Sequence, residues 1–374
     1  CGKLVSTLVG TCYHSMMIAG AVFVLVYTFI GGFLAESASD FMQAVVMVIA
    51  LLTILILGTN AAGGLGNVIE NAAQIPGYLS LTAQATPVTE AAGVQQAAGG
   101  VPLFGEAGSY GFLTIISTLS WGLGYFGVPQ VLLRFMAIRK EGELKQSRRI
   151  ATIWCVISLA AAVIIGIIGR SLYPVEETLA TASGAENVFV VMSQALPAVL
   201  AGIIMAGILA ATISSSDSYL LIAASAVSKN LYEGILKKNQ ADDKKVMNLS
   251  RIMLFLIAVV GMIIAWDEDS VIFNIVSFAW AGFGATFGPV MLFSLFWKRI
   301  NRPGAIAGML SGGVMVFVWN LLLKPMGGIF GIYELFPAFV ISCIVIVVVS
   351  LATEAPSGEI EKEFELAAGT QALD

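Results

Sequence analysis

Apolar residues in this chain come in runs of about 20, the length that lets a helix cross a hydrocarbon core, with polar breaks between one run and the next. About nine runs can be read, centred near Leu25, Ala50, Leu119, Ala160, Gly207, Ile257, Phe283, Met315 and Val345. Runs of that length read as spanning helices, so the expected fold class is all-α, a polytopic membrane protein. Composition points the same way. The chain is 58% hydrophobic and only 11% charged, where an ordinary soluble domain carries roughly 25% charged residues, and its mean hydropathy is +0.90. With so little charge, 374 residues could not cover a water-facing surface. Residues 1–374 therefore read as a single transmembrane domain, with the lipid bilayer as its solvent.

The 19 basic and 24 acidic residues give a net charge of -5. The basic residues fall in short clusters between apolar runs and not along one polar face, which excludes nucleic acid as a partner. Cys1, Cys12, Cys155 and Cys343 show no CxxC or Cys/His spacing, so neither a disulfide framework nor a zinc site is expected. The chain begins at Cys1 and not at Met, with no basic leader before the first long run. That reads as a fragment lacking its first helices, the other reading being a lipoprotein anchored at Cys1.

Orientation follows from the basic residues. Arg134, Arg139, Lys140, Lys145, Arg148 and Arg149 share one loop, Lys229 to Arg251 contains a second cluster, and Lys298, Arg299 and Arg302 form a third. These loops lie between alternate spans and are expected to face the cytoplasm, as is the polar tail at 353–374 with Lys362. The loop at 59–111 holds no Lys or Arg and is expected to be extracellular, and the acidic stretch 173–194 shares that side. Lys3, Arg170 and Lys324 are the basic residues left for the outside. A plasma-membrane protein follows, of the kind found in a bacterial inner membrane.

Several spans contain Gly and Pro. Gly304, Gly308 and Gly312 recur every four residues, a spacing that brings helix backbones together, and a packing role is expected for them.

Chemistry concentrates in the run Ala210 to Tyr219. Ala211, Ser214, Ser215 and Ser218 stand at i, i+3, i+4 and i+7, so one carbonyl and three hydroxyls can converge on one helix face. Sodium takes oxygen ligands, and inside a membrane these come from hydroxyls, carboxylates and carbonyls freed by helix irregularity. The alternative is that the serines bond back to carbonyls one turn earlier. Carboxylates at membrane depth strengthen the ion reading. Asp40 opens the run Phe41 to Leu57, and Asp217 sits among the serines. An unpaired acid at the bilayer centre costs at least ~2.5 kcal/mol and is a functional candidate. For Glu36 and Asp40 the competing reading is an interfacial position after Gly31 and Gly32.

A second constellation is Trp121-Gly122-Leu123-Gly124-Tyr125-Phe126-Gly127-Val128-Pro129. Three glycines and a proline interrupt the helix, and on helical spacing Trp121, Tyr125 and Pro129 share a face. Backbone freed at membrane depth is tolerated where it lines a cavity, and aromatic rings beside it would wall an amphipathic solute. His14, the one histidine, stands near the start of an apolar run and reads as a surface or interface residue. With no nucleophile elbow and no phosphate loop, the chain does not read as an enzyme.

At these residues the chain resembles the sodium/solute symporter family, most closely its proline-transporting members. The matching stretches are Tyr27 to Ala35, Trp121 to Gly127, Ile208 to Ala211, Ala279 to Ala285 and Phe287 to Pro289. The resemblance implies a core of two inverted five-helix repeats, the first of them truncated here. It implies sodium as coupling ion at Ala211, Ser214 and Ser215, an acid at Asp40 near the ion pathway, and a proline site lined by Trp121, Tyr125 and Pro129. Another solute on the same scaffold, such as a different amino acid, an organic acid, a sugar or a vitamin, is the first alternative. A symporter-like sensor module is the second.

Overall fold

The structure is a computed structural model that describes residues 2–268 and 271–367; side chains at 8, 9, 30–37 and 141 lie outside the description, Glu36 among them, as do the last seven positions of the tail. In chain order the helices are α1 (Gly2–Val9), α2 (Tyr13–Ala61), α3 (Leu65–Ala73), α4 (Phe112–Leu119), α5 (Pro129–Met136), α6 (Leu144–Leu172) and α7 (Ala182–Ala185). They continue with α8 (Val188–Gln194), α9 (Ala198–Ser225), α10 (Asp243–Ile264), α11 (Ile272–Phe296), α12 (Arg302–Val318), α13 (Leu335–Ala352) and α14 (Gly358–Ala367).

Among the described residues seven segments are long and apolar enough to cross a membrane: Ala38–Ala61, Leu144–Leu172, Ala198–Leu236, Asp243–Ile264, Ile272–Phe296, Arg302–Met326 and Leu335–Ala352. Phe112–Phe126 and Pro129–Met136, bent by 41°, make an eighth as one broken span, and Tyr13–Phe29 is a shorter apolar helix. Each expected centre lies in one of these nine segments. Large apolar side chains such as Val163 (64% exposed) and Phe255 (54%) face outward from the helices, as they do where the solvent is lipid.

The helix α2 runs for 49 residues without losing its hydrogen-bonding pattern, yet it is not straight. The Tyr27 hydroxyl donates to the Ser39 hydroxyl, while twelve residues of straight helix would separate the two by about 18 Å along the axis. The two limbs of α2, Tyr13–Phe29 and Ala38–Ala61, are therefore not collinear.

Two compact units share the chain. One comprises Cys1–Gly108 and Lys140–Val271. Its main core is Ala50, Ile54, Val68, Ile165, Ile168, Met192 and Ile204, with a second cluster of Leu25, Ala224, Leu254 and Ala258. Both limbs of α2 thus pack on α9. The approach is close at Gly207, where an added Cβ would stand 2.7 Å from that of Ala50. In the same unit the loop expected at 59–111 is built rather than slack. It holds α3 and a hairpin pairing Ala97 with Pro102 and Ala98 with Val101. Gly99 and Gly100 turn the hairpin at φ of +60° and +79°, the left-handed conformations a two-residue turn of this type requires. The Gln95 N–H donates to the Ala180 carbonyl at 2.8 Å, tying this loop to the acidic stretch. His14 contacts the Trp266 carbonyl at 3.0 Å and packs on its ring, a junction between the start of α2 and the end of α10.

The other unit comprises Ser109–Arg139 and Ile272–Asp374. Its core is Ala281, Ala285, Val316, Leu335, Ala338 and Phe339. The glycine spacing in α12 does what packing requires. A Cβ on Gly304, Gly308 or Gly312 would overlap Ser350, Ile346 or the Ala285 carbonyl respectively. Asn301 caps α12, its Oδ1 accepting from the Gly304 N–H at 3.0 Å. Before α13, Glu334 is 1% exposed and carries its charge against Lys324 at 2.8 Å.

Candidate ion and solute sites

The ion candidate is built where α9 meets the second limb of α2. A hydroxyl on Ser214 donates to Asp40 Oδ1, and Asp40 is 8% exposed. Of the five residues expected at this site, these two are brought into contact. Ser218 is also buried, and its N–H donates to Asp217 Oδ1 at 2.8 Å. Ala211 is half-buried and Ser215 exposed. Asp217, 1% exposed, stands one position before Ser218 and three after Ser214 on α9.

Back-bonding to the preceding turn, the competing use of such hydroxyls, does occur on this helix, but at Thr212 (to Ile208 O, 2.9 Å) and Ser216 (to Thr212 O, 2.7 Å). Ser214 differs from both in reaching a carboxylate on another helix. One expectation is corrected. The α-helix is regular from Ala198 to Ser225, so no irregularity frees the Ala211 carbonyl. Its oxygen receives the i+4 amide and retains one lone pair for another partner.

Gln43 adds an oxygen that the spacing argument passed over. It lies three residues after Asp40, on the same helix face, and its Oε1 is buried with no hydrogen-bond partner. A buried acceptor left unsatisfied is rare and expensive, and an acceptor is what a cation needs. The i+3 relation to Asp40 was readable in the sequence; the burial was not.

The solute candidate lies in the other unit. Ser120–Phe126 is a 3-10 helix with three residues per turn, so residues four apart no longer stack on one face. Instead Trp280 of α11 gathers two of the expected residues. Its indole N–H donates to the Trp121 carbonyl at 2.9 Å, its ring stacks on Trp121 at 5.4 Å, and Tyr125 meets it edge-on at 4.8 Å. Phe273 and Tyr333 also stack with Trp121, at 5.3 and 5.9 Å. Tyr125 remains 44% exposed. Pro129 starts α5, where its missing N–H is an orphan in any case, beyond the bend and outside this ring cluster. The glycines have a packing reason. A Cβ on Gly124 would overlap the Trp280 indole, and one on Gly127 would come 2.5 Å from the Phe283 carbonyl. Ser117 Oγ accepts the Tyr333 N–H at 2.7 Å, and the Tyr333 hydroxyl donates to the Ser277 carbonyl at 2.5 Å, which holds the cluster's outer member in place.

Residues 1–312 match the sodium:solute symporter family. A sodium/proline symporter of Staphylococcus aureus is 36% identical over 368 residues, 97% of this chain and 67% of its own length. The corresponding protein of Staphylococcus aureus strain USA300 / TCH1516 has the same identity and coverage. Among solved structures, a substrate-bound, outward-open Na+-coupled sialic acid symporter superposes with a TM-score of 0.68 over 95% of this chain and 70% of its own, at 16% identity, a likeness of fold. The chain therefore belongs to the sodium:solute symporter family, a multi-pass membrane transporter and not an enzyme, with sodium as its coupling ion.

Proposed function

We infer that the transporter takes up L-proline by alternating access, driven by sodium. The observation that carries the ion half of this reading is the Ser214 hydroxyl on the Asp40 carboxylate inside a spanning segment. Ala211, Ser214 and Ser215 offer three oxygens within about one turn, Asp40 supplies the negative charge, and Ser218 and Gln43 lie one turn further along each helix. An arriving sodium ion takes the place of the Ser214 proton at Asp40 and accepts oxygens in exchange for its water. The solute half is supported by the relatives' 36% identity over 97% of the chain and by the aromatic wall of Trp121, Tyr125 and Trp280, while Pro129, outside that cluster, starts the helix that follows it. Coupling requires that sodium bind the solute-accepting state better than the other, since equal affinity shifts nothing. A tenfold preference corresponds to about 1.4 kcal/mol.

In this reading the loop at 59–111 faces outward, the basic loops and the carboxyl end face the cytoplasm, and the host membrane is a bacterial inner membrane. The test is uptake of labelled L-proline into proteoliposomes, with an inward sodium gradient and with choline in its place, competed by unlabelled amino acids, organic acids, sugars and vitamins. Sodium-dependent uptake displaced best by L-proline is the expected result. Displacement by another solute at lower concentration reassigns the substrate, and uptake indifferent to sodium removes the coupling.

A further inference from the structure

We propose that the end of α6 carries a second solute site, a pocket around Arg170 that takes a small organic carboxylate. The cavity measures about 330 Å³, and Arg170 is the one charged residue among those lining it. Arg170 is half-buried. Its Nη2 donates to Gln95 Oε1 at 2.6 Å, and its Cζ stands 4.9 Å from the centre of the Phe104 ring. An amide oxygen and a ring face leave most of the five N–H donors unengaged, and no carboxylate among the described residues pairs with it. Other donors converge on the same space. Ser171 accepts from Asn71 Nδ2 at 2.7 Å, which leaves its own hydrogen to give. Burial pushes the Tyr78 phenol up against a smaller opposing pull from Arg170, so it keeps its proton.

Charge and shape narrow the ligand. One guanidinium balances one negative charge, and its planar fork matches the two oxygens of a carboxylate. A doubly charged phosphate or sulfate would leave charge uncompensated beside Val101, Phe104 and Ile167. Those same walls suit a short hydrocarbon body. The lining shares no residue with the ion and solute candidates described above. Resting on the outward-facing topology of the proposed function, the pocket is an outer holding site for solutes of the transported class.

The test uses the whole transporter in intact cells, with Cys1, Cys12, Cys155 and Cys343 replaced by Ser and a reporter thiol introduced by Val101→Cys. The readout is the rate of labelling by a membrane-impermeant methanethiosulfonate in sodium-free choline medium. External acetate and L-proline are expected to slow labelling at least threefold, L-prolinamide to have no effect, Arg170→Gln to abolish the protection and Arg170→Lys to retain part of it. Protection that appears only with sodium, equal protection by chloride, or full protection in Arg170→Gln overturns the proposal. If Arg170→Gln does not reach the membrane, Tyr78→Phe must weaken protection by acetate, and unchanged protection then overturns it. Because acetate is an independent probe, failure of L-proline transport leaves this result readable.

Discussion

Ser214 and Asp40 lie 174 positions apart and meet where α9 crosses the second limb of α2, the hydroxyl of one donating to the carboxylate of the other. A hydrogen bond to a charged group contributes about 1.5–3 kcal/mol, so the pair holds the two helices at one register. Ser214→Ala removes one proposed sodium ligand and takes one donor from the buried carboxylate. The sodium concentration for half-maximal uptake is expected to rise about tenfold, ~1.4 kcal/mol. Asp40→Asn, which removes the charge, is expected to raise it further. A sodium titration of uptake at fixed solute decides the matter; an unmoved midpoint in both variants rejects the ion site.

Gln43 separates a structural polar group from an ion ligand. Its Oε1 has no hydrogen-bond partner, and replacing an unsatisfied buried polar group by an apolar one of similar size is neutral or stabilising. Gln43→Leu is therefore expected to keep or raise the Tm in detergent while weakening sodium activation several-fold. A variant that is as stable as the parent and responds to sodium unchanged would show that the oxygen faces no ion.

On the solute side, Trp280→Phe preserves the ring that stacks on Trp121 and deletes the N–H that holds the Trp121 carbonyl. The broken segment then loses its tether to α11. The expected outcome is a KM for solute raised about fivefold, close to 1 kcal/mol, with the sodium midpoint in place. Trp121→Ala, which also empties the stack with Phe273 and Tyr333, is expected to raise it more. Kinetics at saturating sodium separate the two effects, and a KM that ignores both changes takes this cluster out of the solute path.

Much of this architecture was legible because lipid imposes a simple rule. A span must be long and apolar, and the runs centred from Leu25 to Val345 obey it visibly. The Ser214 position was legible for a related reason, since hydroxyls at helical spacing in an apolar run stand out. What could not be read were relations between distant segments. Nothing local to Trp121 points to Trp280, 159 residues on. The α-helical spacing of Trp121, Tyr125 and Pro129 misled because the glycines that break the helix also wind it into a 3-10 turn. The loop at 59–111 was read from its lack of Lys and Arg for its side of the membrane alone, and the hairpin that Gly99 and Gly100 turn within it was not foreseen.

The glycines also give a test of packing whose sign differs by site. Gly261 in α10 has open space around an added Cβ, so Gly261→Ala gains helix propensity alone, about 0.5–1 kcal/mol. Gly312 in α12 faces the Ala285 carbonyl of α11, a backbone atom that cannot swing aside. Gly312→Ala must push α11 and α12 apart and is expected to lose about 1–3 kcal/mol. Gly308→Ala falls between them, because the atom it meets is the flexible side chain of Ile346. Thermal unfolding of the three variants in one detergent should rank them Gly261→Ala above the parent, then Gly308→Ala, then Gly312→Ala. If Gly312→Ala melts with the parent, the backbones of α11 and α12 are not in contact there, and the glycine spacing in α12 needs another explanation.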